Sequence, residues 1–216
     1  MISQELRPAS RPPQLPAPGF ADPGPDSQRC FRRILKALSY PGRLQDMGDL
    51  LQQAPEPLFR STAAVCLTLI DLDTPVWLSH AIDTPDVRQF LSFHCGCPVS
   101  AAPGEAAFAL LAAAEAEGLL ARFHPGTPEY PDRAATLLIQ AESLSAAPAL
   151  PLTGPGILSA DLGVSGAGAG FWAERTRINA AFPTGLDMLF LDPRRLAGLP
   201  RSTRTGHATE ASCTSR

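Results

Sequence analysis

Residues 61–79, STAAVCLTLIDLDTPVWLS, constrain the fold of this chain more than any other stretch. Ser61 and Thr62 predict the start of a helix, because a hydroxyl there can accept a hydrogen bond from the amides of the first turn. All of residues 63–70 are apolar except Thr68, and a segment that is apolar on all its faces is typical of a fully buried helix. A strand over residues 65–70 stays open as an alternative, since periodicity alone does not separate the two in so short an apolar run.

An acidic turn and a short strand complete this stretch. Residues 71–75, DLDTP, predict a break, because Asp and Thr side chains bond to nearby backbone and Pro75 cannot continue a helix. Residues 76–78 are predicted to form a strand. Asp71 and Asp73 resemble a carboxylate pair for acid–base chemistry, but forming the turn is the commoner role of Asp at such positions.

The chain has 216 residues, enough for one well-buried core. Residues 1–25 contain seven prolines together with Gly, Ser and Ala, so they cannot bury enough apolar surface to offset the entropy of ordering. We expect a disordered tail there, a single α/β domain over residues 26–204, and a second disordered tail over residues 205–216.

The net charge and the hydropathy of the chain restrict its expected partners and location. The net charge of −3 provides no cationic field, so neither nucleic acid nor an anionic membrane surface is a favoured partner. No apolar region follows a charged start and no run of about eighteen apolar residues occurs, so neither a signal peptide nor a membrane span is predicted. Five scattered cysteines without a framework spacing suit reduced thiols. We expect a cytoplasmic protein.

The first helix is predicted to follow a cap at Asp26 and Ser27 and to end at the YPG of residues 40–42. Its buried stripe is expected at Phe31, Ile34, Leu35 and Leu38. Its basic face carries Arg29, Arg32, Arg33 and Lys36. Such a face is able to clamp a phosphate or phosphonate, but solvation or contact with a partner protein is its commoner role.

Downstream, helical and strand patterns alternate, which predicts an α/β layered sandwich with a mixed β-sheet flanked by helices. The predicted helical segments are residues 85–94, 112–122, 171–181 and a short turn at 194–198. The predicted strands are residues 106–110, 136–144, 149–153 and 186–191. The second and third of these strands are expected to pair with each other.

The sequence contains only incomplete versions of metal-binding, phosphate-binding and catalytic motifs. HCGC, at residues 94–97, lacks the further ligand pair that a structural zinc site needs. Residues 163–170, GVSGAGAG, lack the Lys-Ser/Thr end of a phosphate loop and are expected to form a flexible connection. Lys36 is the single lysine, so a Schiff-base mechanism has only this residue available. We predict no catalytic residue, no cofactor site and no metal site.

Seven segments, taken in order, resemble the PhnH subunit family of the bacterial carbon–phosphorus lyase system. They are FRRILKALSYPG (residues 31–42), LTLIDLDTPVWLS (67–79), FHCGCP (93–98), ATLLIQAESLS (135–145), LTGPGI (152–157), FPTGLDMLF (182–190) and LPRSTR (199–204). Each segment is modest alone, but seven in order are specific, and together they span roughly residues 27–204. The glycine-alanine loop and the proline-rich tail are not part of the pattern.

The resemblance implies a cytoplasmic α/β subunit whose fold is similar to that of the pyridoxal-phosphate-dependent transferases, without their cofactor. It also implies a homodimer that joins the other core lyase subunits. That assembly uses ATP to convert alkylphosphonates into ribosyl phosphonate triphosphates and then cleaves the carbon–phosphorus bond. The radical iron–sulfur chemistry belongs to a different subunit, and no catalytic residue carries over. A phosphonate or a nucleotide is the candidate ligand.

Two functions of different class remain open. One is a structural subunit of the lyase assembly, and the other is a stand-alone enzyme that acts on a phosphate- or phosphonate-containing small molecule. The sequence favours the structural subunit, because the basic helix has the size of an interaction surface and no complete catalytic constellation is present.

Overall fold

A computed structural model describes residues 15–48 and 50–206. The helices are α1 (Pro23–Ser39), α2 (Arg60–Leu69), α3 (Pro85–His94) and α4 (Ala169–Asn179). The strands are β1 (Gln45–Asp46), β2 (Val76–Leu78), β3 (Phe108–Ala112), β4 (Thr136–Gln140), β5 (Leu144–Thr153), β6 (Ala160–Val164), β7 (Asp187–Leu191), β8 (Arg195–Leu199) and β9 (Arg204–Thr205).

A six-stranded mixed sheet with the order β1-β8-β7-β4-β3-β2 forms the centre of the molecule. Strands β2, β3, β4 and β7 run parallel, whereas β8 and β1 pair antiparallel at one edge. A second, antiparallel sheet has the order β6-β5-β9. The prediction of an α/β fold with a mixed sheet flanked by helices is confirmed at this level.

Alternate residues of the central strands face two separate cores. Leu138 and Leu189 lie in the core with residues of α1, α2 and α3. Leu137 and Met188 lie in the other core, with Phe171 of α4 and residues of the second sheet. Because side chains alternate across a strand, these continuous apolar runs bury both faces of the sheet.

Helix α2 is a buried helix, so the strand alternative for residues 65–70 is wrong. The predicted cap is also wrong, because Phe59 is the N-cap residue and Ser61 lies inside the first turn. The Ser61 hydroxyl donates instead to the carbonyl of Asp192, which ties the helix to the turn after β7. The predicted turn and the following strand β2 are confirmed, with the amide of Thr74 donating to Asp71 over 3.2 Å.

Helix α1 differs from its prediction in both its start and its buried face. It begins at Pro23, with Asp22 as the N-cap residue. The face that packs on the core consists of Asp26, Cys30, Ile34 and Ala37. Phe31 and Leu35, predicted to be buried, are 49% and 53% exposed. At Ala37 the backbone of α1 approaches β8 closely, since a Cβ on Gly198 would lie 2.6 Å from the Ala37 carbonyl carbon, and at Cys30 the helix faces α2, where the thiol donates to the carbonyl of Ala64 over 3.5 Å.

Four further predictions need correction. Residues 112–122 form two short 3-10 turns instead of a helix, and the carboxylate of Glu174 accepts from the amide of Gly118 between them and from that of Ala121 in the second turn. Residues 149–153 belong to β5, which pairs with β6 and β9 and not with β4. Half of the glycine-alanine stretch belongs to β6 and α4, and only residues 165–168 connect them. The turn predicted at residues 194–198 is replaced by strand β8, because Asp192 closes a hairpin turn between β7 and β8.

The terminal segments are described only in part. Residues 1–14, Asp49 and residues 207–216 lie outside the described residues, so the two predicted tails stay predictions there. Ala17 and Phe20 pack against the first core, and the carbonyl of Ala17 accepts from the Nε2 of His94 over 2.8 Å. Among the described residues, no helix is long and apolar enough to cross a membrane.

Candidate functional site

The predicted basic face of α1 divides into two cations that are engaged within the chain and two that are not. Arg29 forms an ion pair with Asp26, and Arg33 donates to the carbonyl of Met47 over 2.6 Å. Arg32 and Lys36 make no hydrogen bond or ion pair with the described part of the chain and are exposed. Only these two remain available to a partner or an anion.

Arg32 and Lys36 lie one helical turn apart, and the exposed Phe31 and Leu35 lie beside them with the same spacing. Two apolar side chains and two cations therefore form one continuous surface, which we call the α1 strip (Phe31, Arg32, Leu35 and Lys36). The sequence identified its cations as site residues but assigned its apolar members to the core.

A larger concave feature lies between α4 and β9, and we call it the α4–β9 cleft. Its volume is about 810 Å³. Its walls come from residues 153–155, from one side of α4 and the residues after it, and from residues 201–205. The lining side chains with polar groups are Thr153, Arg175, Thr176, Asn179, Arg201, Ser202, Thr203, Arg204 and Thr205. None of the described residues that line this cleft is acidic.

Arg175 forms the floor of the α4–β9 cleft and is only 1% exposed. Its Nη1 donates to the carbonyl of Thr203 over 3.1 Å, and its Nη2 donates to the carbonyl of Pro200 over 2.9 Å. Its Nε has no hydrogen-bond partner. Burial lowers the pKa of Arg175 to about 10, against an opposing attraction from Asp187. The guanidinium therefore stays charged at neutral pH.

Asp187 is held by a different arginine. Its carboxylate accepts from the side chain of Arg201, with Arg201 Nε 3.1 Å from Oδ2, and from the Arg201 amide over 2.7 Å. Arg201 also donates to the carbonyl of Pro131. Arg201 and Asp187 thus neutralise each other, and Arg175 has no ion pair among the described residues.

Besides the Nε of Arg175, further polar groups of the α4–β9 cleft have no hydrogen-bond partner among the described residues. The Thr203 hydroxyl is buried without a partner, and the side chains of Ser202 and Arg204 make no hydrogen bond or ion pair in residues 15–48 and 50–206. The Thr176 hydroxyl, in contrast, donates to the carbonyl of Trp172 over 2.8 Å and lies in hydrogen-bond contact with the Thr205 hydroxyl over 3.2 Å. The cleft therefore combines positive charge with an unengaged hydroxyl donor at Ser202.

The HCGC segment places its cysteines in the core. Cys66, Cys95 and Cys97 are buried, and no group of three or more metal-ligating side chains occurs among the described residues. Burial raises the pKa of Cys95 to about 12 and that of Cys66 well above its ordinary value. These groups are thiols at neutral pH, so they are poor nucleophiles.

The buried thiols predict a loss of stability at high pH. Burial raises the pKa of Cys30 from 9.0 to about 11, so Cys30, like Cys95, stabilises the fold fully below pH 9 and loses this contribution as the pH rises through 11 to 12. We expect the thermal midpoint to fall above pH 9, measured by circular dichroism. The Cys30→Ala variant should show a shallower fall, and an unchanged slope in that variant would contradict the expectation.

The remaining sequence candidates have structural roles. The Asp71 carboxylate accepts from the amide of Asp73 over 3.1 Å and from the Thr74 hydroxyl, so it builds the turn. Between β6 and α4, the Glu117 carboxylate lies where Cβ atoms of Gly168 and Gly170 would be. A carboxylate at this position disfavours a bound phosphate.

Comparison with known proteins assigns the family. The family model for the bacterial phosphonate metabolism protein PhnH matches residues 18–206. The chain belongs to the PhnH family. A relative in Rhizobium meliloti (strain 1021), named alpha-D-ribose 1-methylphosphonate 5-triphosphate synthase subunit PhnH, is 33% identical over 195 residues, which cover 88% of this chain and 96% of the relative. A second, the putative C-P lyase subunit protein HtxG of Stutzerimonas stutzeri, is 34% identical over 185 residues, covering 83% of this chain and 85% of the relative.

Three of the seven segments on which the PhnH resemblance rests meet at the α4–β9 cleft. They contribute residues 153–155, Phe182 and residues 201–204 to its lining. These segments indicate the family, but nothing in their sequence predicts that they form a site. Arg175 was not predicted as a site residue, because an arginine within a helix carries no signal of its burial.

Proposed function

We propose that this protein is a subunit of the carbon–phosphorus lyase assembly that converts alkylphosphonates to ribosyl phosphonate triphosphate, with a structural instead of a catalytic role. The observation that carries the proposal is the family match over residues 18–206, with both named relatives described as subunits and covered over most of their length. The test is purification of the tagged protein from cells grown on methylphosphonate, followed by identification of its companions.

The chemistry of the described side chains supports a structural role. The buried cysteines are protonated thiols at neutral pH, and Asp71 is occupied by its own turn. Lys36, the only lysine, is exposed on α1. We therefore propose that the chain, whose fold the resemblance relates to the pyridoxal-phosphate-dependent transferases, works without their cofactor. The free thiols of Cys30, Cys66, Cys95 and Cys97 suit a cytoplasmic location.

The α1 strip is the surface that we propose meets another core subunit. A small anion would neutralise Arg32 and Lys36 but leave Phe31 and Leu35 in water, whereas a protein surface covers all four. Aromatic side chains and arginine are enriched in protein interfaces. The complementary partner surface is therefore apolar with an acidic rim.

Self-association forms a further part of the proposal. Leu72 and Phe93 are 73% and 67% exposed, and Leu72 lies against Gly96, just beyond the end of α3. Burying such side chains against a second copy would stabilise a homodimer by about 25 cal/mol for each Å² of apolar surface removed from water. Light scattering at micromolar concentration should therefore give twice the chain mass.

The matched variants make this prediction specific. Leu72→Ser with Phe93→Ser should weaken the dimer, whereas Leu158→Ser, at a fully exposed leucine outside α3, should leave it unchanged. A monomer at all concentrations in the unaltered protein would contradict self-association.

The alternative, a stand-alone enzyme acting on a phosphate- or phosphonate-containing small molecule, is supported by one observation. The α4–β9 cleft has the volume of a small-molecule site and is lined by three guanidinium groups. It contains no activated nucleophile or acid–base pair among the described residues. We therefore retain the subunit as the proposed function.

A further inference from the structure

The charges that line the α4–β9 cleft are unbalanced. Arg175, Arg201 and Arg204 contribute three positive charges, whereas Asp187 behind the cleft forms an ion pair with Arg201 and attracts Arg175 without forming an ion pair with it. Arg204 is exposed, so water screens its charge. Arg175 is 1% exposed, so its charge is neither screened by water nor paired with a carboxylate.

A buried, unpaired guanidinium is costly, because its lost hydration has to be replaced by hydrogen bonds or an opposite charge. The carbonyls of Pro200 and Thr203 replace part of that hydration but carry no net charge. The lowered pKa of Arg175 is consistent with this deficit. An anion in the cleft would offset it without any rearrangement of the fold.

The groups that can contact such an anion directly are on the walls. Arg204 extends from β9 without a partner among the described residues, and the Ser202 hydroxyl in the same lining is likewise unengaged. The hydroxyls of Thr176 and Thr205 bond to the Trp172 carbonyl and to each other, and the Thr203 hydroxyl is fully buried, so these three are not available to an anion. Guanidinium and hydroxyl groups together bind the tetrahedral oxygens of phosphate and phosphonate.

The size of the cleft indicates more than a bare anion. A volume of about 810 Å³ is in the range of sites for small organic ligands, and far larger than one phosphate needs. Phe182 is 63% exposed and forms part of the wall, which provides an apolar surface for the rest of the ligand.

We propose that the α4–β9 cleft binds a small organic molecule that carries a phosphate or phosphonate group, with Arg204 and Ser202 contacting the group and the buried Arg175 attracting it. This goes beyond the subunit role, because that role does not by itself imply a ligand. A negative ligand titration would not contradict the subunit role, and purification without companion subunits would not contradict ligand binding in the cleft.

Isothermal titration of the full chain tests the proposal with three separate probes: inorganic phosphate, methylphosphonate and ribose 5-phosphate, in chloride buffer of constant ionic strength. We expect ribose 5-phosphate to bind more tightly than inorganic phosphate, because only the ester reaches the Phe182 wall. A stronger response to methylphosphonate than to either phosphate would identify a phosphonate as the ligand and would also support the proposal. No heat from any probe at millimolar concentration would overturn it.

Matched variants locate the site. Arg204→Gln should weaken binding of the best probe about tenfold. Arg177→Gln removes an exposed cation from the same helix α4 but outside the cleft, and should leave affinity within about twofold. Ser202→Ala removes a hydroxyl that makes no bond with the described part of the chain, does not change the charge, and should also weaken binding. Equal losses in Arg204→Gln and Arg177→Gln would show non-specific attraction and would overturn the proposal.

Discussion

Replacing both Arg32 and Lys36 with Glu is expected to abolish growth on phosphonate while leaving the fold nearly intact. Neither side chain bonds to the described part of the chain, so their loss removes no contact within the subunit. Against a partner with an acidic rim, two reversed charges replace attraction with repulsion, which costs several kcal/mol at a close interface. Growth on methylphosphonate, thermal melting of the purified variant and recovery of companion subunits measure the three parts of this prediction.

The choice of residues matters, because the four cations of α1 are not equivalent. Arg33 donates to the carbonyl of Met47, so its replacement would test packing and assembly at once. A control with Arg177→Glu and Arg194→Glu makes the same change in net charge at two exposed positions away from the α1 strip, and should grow normally. Normal growth and assembly of the Arg32 and Lys36 variant would show that the α1 strip is merely solvated.

Replacing Gly198 with Ala is expected to destabilise the protein more than any surface change. The new Cβ would lie 2.6 Å from the Ala37 carbonyl carbon and 2.8 Å from the Leu38 amide nitrogen, and these backbone atoms cannot move without shifting α1. Overpacking of this kind costs about 3 kcal/mol. The thermal midpoint should fall by roughly 10 °C in a chain of this size.

Gly24 provides the matched control for this substitution. It lies in the first turn of α1, and a Cβ there would meet nothing within 4 Å. Because Gly is a poorer helix former than Ala, Gly24→Ala should raise stability by up to about 1 kcal/mol. A Gly198→Ala variant as stable as the unaltered protein would refute the close approach of α1 to β8.

The central stretch was predictable because its signals are local. An apolar run, a turn closed by Asp71 and a proline each act within a few residues, and α2 and β2 followed from them. The rotation of α1 was not predictable in this way. Phe31 and Leu35 are larger and more apolar than Cys30 and Ala37, so periodicity favoured them for the core. The contacts of α1 with Gly198 of β8 and with Ala64 of α2 instead turn Ala37 and Cys30 inward, and these contacts are not visible in the sequence of α1.

Local propensity also failed where distant groups decide the backbone. The alanines of residues 112–122 favour a helix, but the Glu174 carboxylate binds two amides of this segment from α4. Asp192 likewise accepts from the amide of Arg195 and turns the predicted helical segment into a hairpin strand. The Glu174 contacts join residues that are 56 and 53 positions apart, which no local window of the sequence contains. Gly118, with a φ of +79°, and Asp192 are local signals against a helix that the sequence prediction did not weigh.

The α4–β9 cleft could not be predicted from the sequence either, because residues far apart in the chain form it. Its walls come from three segments that the fold of β5, α4 and β9 brings together. The basic face of α1, in contrast, is contiguous in sequence and was found, although only two of its four cations proved to be free of partners among the described residues. The family resemblance identified the segments of the cleft correctly without indicating that they form one site.

Affinity purification from cells grown on methylphosphonate tests the central claim most directly. The tagged, unaltered protein should elute with the other core subunits of the lyase in a fixed ratio, identified by mass spectrometry and by a single assembly peak on size exclusion. Elution of the protein alone, from cells that contain the other subunits and degrade methylphosphonate, would contradict its assignment as a subunit of that assembly.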